Sequence, residues 1–315
     1  MGLSDFLQQV NDEVKIINSS DFNIEVIETK TVPTREDKEI TYENIDTKTK
    51  KCKSIETCVL YIDIRKSTEL SLTHYPKTLS KLYSSFVKSM LRASRYHGGH
   101  VRNIIGDRVM VVFDSENCMT NAVNTAILLN TVSSGIMNKH FKNNEVKCGI
   151  GIDYGKMLVT KVGTVNHGIE NIEYKSLVWL GKPANIASKL TDIANKTHKG
   201  RNEFINEGLH YPLTDAWSWS KLSYGEFIDN LEANFTVNLK YKNPYFNAFI
   251  KHSDDITTNA ILITEVVYNE FKKKNPNDAT IKNNWWIKED IKIPEYDGVI
   301  YGGSIIYKNA LDKVR

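Results

Sequence analysis

Cys58-Val-Leu-Tyr-Ile-Asp-Ile-Arg-Lys-Ser-Thr68 and Asn103-Ile-Ile-Gly-Asp-Arg-Val-Met-Val-Val-Phe113 decide how this chain reads. The first opens as an apolar run rich in β-branched residues, suited to a buried strand, and that run ends around a carboxylate, Asp63. The second holds two strand-like runs around Gly106-Asp107, and a Gly-X pair between such runs signals a two-residue hairpin. A strand that ends in one carboxylate, beside a hairpin tip carrying another, can hold divalent cations against a triphosphate. Two metals bridging a nucleotide favour in-line displacement at phosphorus. Either aspartate alone has a plainer reading, because an Asp in a tight turn usually bonds its own backbone.

Outward from these stretches the pattern is that of alternating strands and helices. Leu79, Leu82, Tyr83, Phe86, Val87, Met90 and Leu91 follow helical spacing, and Gly98-Gly99 ends that helix as a C-terminal glycine cap. A second helix is expected over about Thr120–Met137, burying Ala122, Val123, Ala126, Ile127 and Leu129. VKCGIGIDYG turning into KMLVTKVG reads as a hairpin, YKSLVWLG as a strand, and ANIASKLTDIANK as a helix after Lys182-Pro183. The order β-α-ββ-α-ββ-β-α fits an α+β layer fold, a central antiparallel or mixed sheet with helices on one face. Upstream lie a short amphipathic helix, an extended FNIEVIE segment and a charged stretch. Downstream, ITEVVYNEF reads as a helix and GVIYGGSIIY as a closing hairpin. Residues 200–255, rich in aromatics and asparagine, read as an insertion. The chain is accordingly divided into an arm and linker (1–53), a core (54–200) and an extension that completes the core (201–315).

Bulk properties narrow the function classes. With 315 residues, 41% hydrophobic and 25% charged, the composition is that of a soluble globular protein able to bury a sizeable core. The formal charge is +3 with basic residues scattered, and the densest run, Lys48 to Lys53, reads as a solvated linker and not as a nucleic-acid footprint. No apolar run approaches the ~18 residues of a membrane helix. The acidic, amphipathic N-terminus does not read as a signal peptide, and Phe6 breaks the myristoylation pattern that Gly2 would open. Cys52, Cys58, Cys118 and Cys148 lack metal-ligand spacing, so a reducing cytoplasm is expected.

Taken together, IDIRKST, NIIGDRVMVVF and WLGKPANIASKL resemble, in order and spacing, the catalytic domain of class III nucleotidyl cyclases, over about Thr57 to Lys196. Within that family the resemblance is greatest to bacterial pyrimidine cyclases of the Pycsar antiphage system. The resemblance implies two divalent metal ions (Mn²⁺ or Mg²⁺) on Asp63 and Asp107, with Ile64 lending its backbone carbonyl. It places Lys66, Ser67 and Thr68 in the turn that cradles the phosphates, where N–H groups opening a helix suit an anion. Asn185 matches the asparagine that orients the ribose, and Lys189 stands where the family has its transition-state arginine. The family supplies these two from a partner subunit, which implies a head-to-tail homodimer. A nucleoside triphosphate substrate and a separate effector protein activated by the product are implied too. Alone, Asn185 and Lys189 would be ordinary neighbours on an exposed helix face.

The base pocket departs from the purine pattern. The position four before the second aspartate, lysine or glutamate in purine cyclases, is Asn103, and the second selector is Val178. Tyr61 shares a strand face with Asp63 and can shorten the pocket towards a pyrimidine, or be a core aromatic. Arg108 can meet the base or a neighbouring acid. A haloacid-dehalogenase phosphatase would need an aspartate where Arg65 stands, and a diguanylate cyclase would show a GGDEF-like hairpin in place of IIGDR. A pyrimidine cyclase making cyclic UMP or cyclic CMP is the expectation. An adenylate cyclase with an altered pocket and a silent nucleotide-binding homologue are the alternatives.

Overall fold

The structure, a computed structural model, describes residues 1–141, 146–163, 165–166, 169–170, 176–233 and 238–314. In chain order its elements begin with α1 (Leu3–Ile17), β1 (Asn23–Thr29), β2 (Thr49–Ile64), α2 (Ser67–Thr73), α3 (Pro76–Tyr96), β3 (Gly99–Ile105) and β4 (Arg108–Phe113). They continue with α4 (Cys118–Thr131), a π-helical turn (Val132–Met137), α5 (Asn138–His140), β5 (Cys148–Val162), β6 (Val165–Asn166), β7 (Ile169–Glu170), β8 (Ser176–Leu180) and α6 (Lys182–Ile193). Next come β9 (Thr197–Tyr211), β10 (Ala216–Leu222), α7 (Tyr224–Asp229), β11 (Leu231–Ala233), β12 (Leu239–Tyr241) and β13 (Phe246–Thr257). Last are β14 (Ile261–Thr264), α8 (Glu265–Lys274), α9 (Ala279–Lys282), β15 (Ile287–Glu289), β16 (Ile300–Gly303) and α10 (Lys308–Leu311).

Two compact units emerge. Residues 1–195 and 259–315 form one, and residues 196–258 the other. The first is built on a nine-stranded sheet of order β15-β16-β14-β5-β2-β4-β3, with β1 beside β2 and β8 beside β5. It is mixed: β1 runs parallel to β2 and β14 parallel to β5, while the other pairs are antiparallel. The second unit carries the three-stranded antiparallel sheet β10-β9-β13 and the short helix α7.

The alternation of β2 explains the layering. Cys58, Leu60, Ile62 and Ile64 enter one core with Leu82, Phe86 and Met90 of α3, Val123 and Ala126 of α4, and Val267 and Phe271 of α8. Ile55 and Val59 turn to the other face and meet Met157, Ala184 and Ala187, with Tyr61 packed alongside. Helices therefore cover both faces, α3, α4 and α8 on one and α6 on the other, where the sequence led us to expect only one covered face.

Two further expectations are corrected. GIGIDYGKMLVTKV is one continuous strand, β5, in register with β2 from Lys53↔Val159 to Ile64↔Cys148. A Cβ at Gly155 would come within 3.0 Å of Pro183 Cγ, so this glycine admits the start of α6 and does not mark a turn. The lysine run before Ser54 is also no linker. Thr49 to Lys53 belong to β2, and their charges are matched by acids upstream: Lys50 to Glu43 (3.0 Å), Lys51 to Glu25 (2.9 Å) and buried Lys53 to Asp37 (2.8 Å). All four cysteines are buried and free, and no helix among the described residues is long and apolar enough to cross a membrane.

Candidate active site

Backbone pairing brings the two aspartates together. β4 runs antiparallel to β2 with Val109 opposite Ile62, so the hairpin tip at Gly106 (φ +61°) and Asp107 lies beside the end of β2. The Ile64 N–H donates to Asp107 Oδ2 at 3.2 Å. Burial pushes the Asp107 carboxyl up, and the nearby Asp63 carboxylate, within hydrogen-bonding reach, adds to it; bonds from its own backbone and from Ser67 act in the opposite sense. Two carboxylates crowded in a half-buried pocket favour any added positive charge. Together with the Ile64 carbonyl they offer hard oxygen donors of the kind Mg²⁺ and Mn²⁺ take. Among the described residues no group of three or more His, Cys, Asp or Glu gathers to hold a metal, so waters, and in the substrate complex a nucleotide's phosphates, would complete the ligand set. On that chemistry the residues fit a divalent cation.

Around this pair the turn is fixed from several sides. Lys66 takes the left-handed conformation (φ 57°) that launches α2, and its Nζ pairs with Glu69 at 3.0 Å in solvent. Ser67 opens α2 and is half-buried against Asp107, while Thr68 is exposed. Arg65 was read only for what it excludes, yet it fastens this turn to α6. Its Nη2 donates to the Thr191 carbonyl (2.6 Å) and its Nη1 to that of Asp192 (3.2 Å), the last carbonyls of a helix, where a cation is favourable.

Arg108 meets acids. Its Nη2 donates to Asp63 Oδ2 at 2.8 Å and also to Asp192 Oδ1, and its Nη1 donates to Ser188 Oγ at 2.9 Å. Ser188 and Asp192 were not singled out from the sequence. Their signal was the four-residue spacing on the helix that also carries Asn185 and Lys189, which puts all four on one face.

That outer face of α6 is set by the opposite one, where Pro183, Ala184, Ile186, Ala187, Leu190 and Thr191 are buried. Asn185 is exposed and makes no side-chain hydrogen bond among the described residues. Lys189 Nζ pairs with Glu295 (3.1 Å) and donates to the Pro294 carbonyl (3.2 Å). Among the described residues no contact joins either to Asp63 or Asp107 of the same chain.

The base-pocket candidates separate. Asn103, Met110 and Tyr61 stand in one cross-strand row over β3, β4 and β2. Strands about 4.8 Å apart put Tyr61 and Asn103 roughly 10 Å from each other on the same face as Asp63. Tyr61 is half-buried against the α6-side core, and burial pushes its phenol up. Asn103 is exposed and opens on a cleft of about 810 Å³ that Arg35, His100 and Arg102 also line. Val178 pairs with Thr160, and its neighbours Leu177 and Trp179 are the ones packed on the Tyr61 side. By alternation Val178 turns the other way, so the structure does not bring it to Tyr61 and Asn103.

Residues 49–198 match the adenylate and guanylate cyclase catalytic domain family. This segment is a class III nucleotidyl cyclase catalytic domain. Among curated relatives, a uridylate cyclase of Burkholderia cepacia is 28% identical over 211 residues, covering 65% of this chain and 82% of that protein. A uridylate cyclase of Gulbenkiania mobilis is 26% identical over 219 residues, 64% of this chain and 81% of its own length. A cytidylate cyclase of Staphylococcus aureus is 32% identical over 169 residues, 49% of this chain and 38% of its own.

Proposed function

We propose that this cyclase domain acts on pyrimidines, converting UTP or CTP into the 3′,5′-cyclic nucleotide and pyrophosphate. The observation that carries the reading is the row Tyr61–Met110–Asn103 beside Asp63, where an amide stands in place of the purine-reading lysine or glutamate and a phenol stands in the same row. The uridylate and cytidylate cyclases among its relatives support it. Asn103 can donate or accept, so it suits the polar edge of either pyrimidine.

In the reaction the ribose 3′-oxygen forms a bond to the α-phosphorus, the bond from that phosphorus to the pyrophosphate oxygen breaks, and the 3′-hydroxyl proton is lost. Divalent cations supply charge neutralisation of the triphosphate and a lowered 3′-hydroxyl pKa when bound. The chain's own part is to hold them with Asp63, Asp107 and the Ile64 carbonyl, and to line the phosphate turn with Lys66, Ser67 and Thr68. Asn185 and Lys189 of a second copy, arranged head to tail, position the ribose and place a positive charge by the α-phosphate. Lysine keeps the charge of the family's arginine without its planar fork. The product is a cytoplasmic messenger for a separate effector protein in defence against phage.

Turnover with Mn²⁺ and each of ATP, GTP, CTP and UTP tests the reading. A cyclic pyrimidine product supports it. Preference for ATP makes the protein an adenylate cyclase with an altered pocket, and no turnover by folded protein makes it a silent nucleotide-binding module.

A further inference from the structure

Arg108 sits on an oxygen that a metal would need. We propose that Arg108 competes with a divalent cation for Oδ2 of Asp63, and that Asp192 and Ser188 are the seat Arg108 keeps when the cation takes that oxygen. The inference rests on the metal-binding reading of Asp63 and Asp107.

The geometry gives the guanidinium three acceptors: Asp63 Oδ2 at 2.8 Å, Ser188 Oγ at 2.9 Å, and Asp192 Oδ1. Two of the three are on α6 and do not depend on Asp63. Yielding Asp63 to a metal therefore costs Arg108 one contact and leaves its charge paired with Asp192. Arg108 and Asp63 are both largely shielded, with side chains 25% and 18% exposed, so the competition is not screened away by solvent. Ser188 and Asp192 touch neither the metal ligands nor, on this reading, the nucleotide; they are positioning residues that act through Arg108. A planar fork with donors on both Nη atoms can span two helix side chains and a strand carboxylate at once, which a lysine's single nitrogen cannot.

The test is Mn²⁺ binding to the full chain without nucleotide, read from loss of the free-ion signal in electron paramagnetic resonance. Arg108→Gln should bind Mn²⁺ about tenfold more tightly or better, since one charge within a few ångströms shifts an ionic equilibrium by that much. Asp192→Asn should bind it several-fold more weakly, because Asp63 is then the one carboxylate left to pair the Arg108 charge, with Ser188 Oγ its remaining neutral acceptor. In the double variant the Asp192 effect should vanish. Thermal melts check that each variant is folded, and Asp192→Asn carries the test alone should Arg108→Gln not fold. Unchanged or weaker Mn²⁺ binding by folded Arg108→Gln overturns the proposal, as does unchanged or tighter binding by Asp192→Asn. An Asp192 effect that persists without Arg108 also overturns it. Absence of Mn²⁺ binding in both wild type and Arg108→Gln fails the metal reading itself and takes this inference with it.

Discussion

Gly151→Ala would test whether the seat of α6 sets the chemistry on its far side. Gly151 lies on β5 opposite Tyr61, two pairs along from Gly149 opposite Asp63. A Cβ there would run into the Ala187 carbonyl and lie 2.5 Å from the Thr191 nitrogen and 2.7 Å from Leu190 Cβ. These are helix backbone and core atoms, which cannot swing aside as a side-chain tip can. Carbon against a backbone polar atom settles at about 3.3 Å, so the helix must retreat by roughly 1 Å. Overpacking of this kind costs about 1–3 kcal/mol, offset by about 0.5–1 kcal/mol from replacing a strand glycine. The net, about 0–2.5 kcal/mol, corresponds for a unit of this size, at about 2 °C per kcal/mol, to a Tm drop of up to about 5 °C. The catalytic loss should be larger in proportion, because a misplacement of about 1 Å in positioning groups is worth about 10²-fold. Calorimetry and cyclase turnover on the same preparation give both numbers. Gly225→Ala, where the nearest atom to a new Cβ is Ser223 Oγ at 3.9 Å, is the neutral control. Gly151→Ala that keeps wild-type Tm and turnover would refute the claim that α6 is held at backbone contact.

Asp63→Asn and Asp107→Asn should each lower turnover by more than the about 10–100-fold that outer-shell groups are worth while the far-UV spectrum stays native; near-normal Mn²⁺-dependent activity in either would sink the two-carboxylate assignment. Mixing Asp63→Asn chains with Asn185→Ala chains should restore about a quarter of wild-type activity, since half the dimers are mixed and one of their two sites is whole; exchange of subunits without recovery would rule out a shared site. Trimming Tyr61 to Val should raise the ratio of kcat/KM for ATP over UTP or CTP by about tenfold or more, and an unchanged ratio removes Tyr61 from the pocket wall. Burial pushes the Asp153 carboxyl up despite the bond donated by Thr264 Oγ1 at 2.8 Å. An acid raised in the folded state loses stability as pH climbs past its ordinary value near 3.8. Asp153→Asn, whose amide oxygen still accepts that bond, should therefore melt higher than wild type by a margin that widens from pH 4 to pH 7.

What was legible in the sequence was local. Asp63 and Asp107 announced themselves because each sits in a short pattern whose backbone geometry is nearly fixed, a strand end and a two-residue turn. The helix over Leu79–Leu91 and its glycine stop were legible by spacing, and the structure extends it to Pro76–Tyr96. Less was visible where a residue's role depends on a distant partner. The lysines of 50–53 look solvated until Glu43, Glu25 and Asp37 are folded against them. Val178 holds the right place in its motif, but strand alternation turns it from Tyr61, which motif spacing does not encode. Arg65 looked like a negative clue, while its carbonyl partners lie on a helix 126 and 127 residues away.

The misread hairpin at Gly155 shows what signal was there to be used. Gly149, Gly151 and Gly155 alternate with Ile150, Ile152 and Tyr154, and those three face the opposite core. Glycine at alternate positions, interrupted once by Asp153, is poor turn chemistry and good strand chemistry when a stretch of one face must be bare. The bare face lets α6 approach to backbone contact, and the approach fixes which residues of α6 remain outside: Asn185, Ser188, Lys189 and Asp192. Two of these tie Arg108 to the helix and so to Asp63, and the other two are the groups proposed to serve a second copy. The same helix thus carries both the grip on its own carboxylate and the groups offered to a partner. A change that moves α6 should alter metal affinity and turnover together, whereas one confined to Asn185 should alter turnover alone.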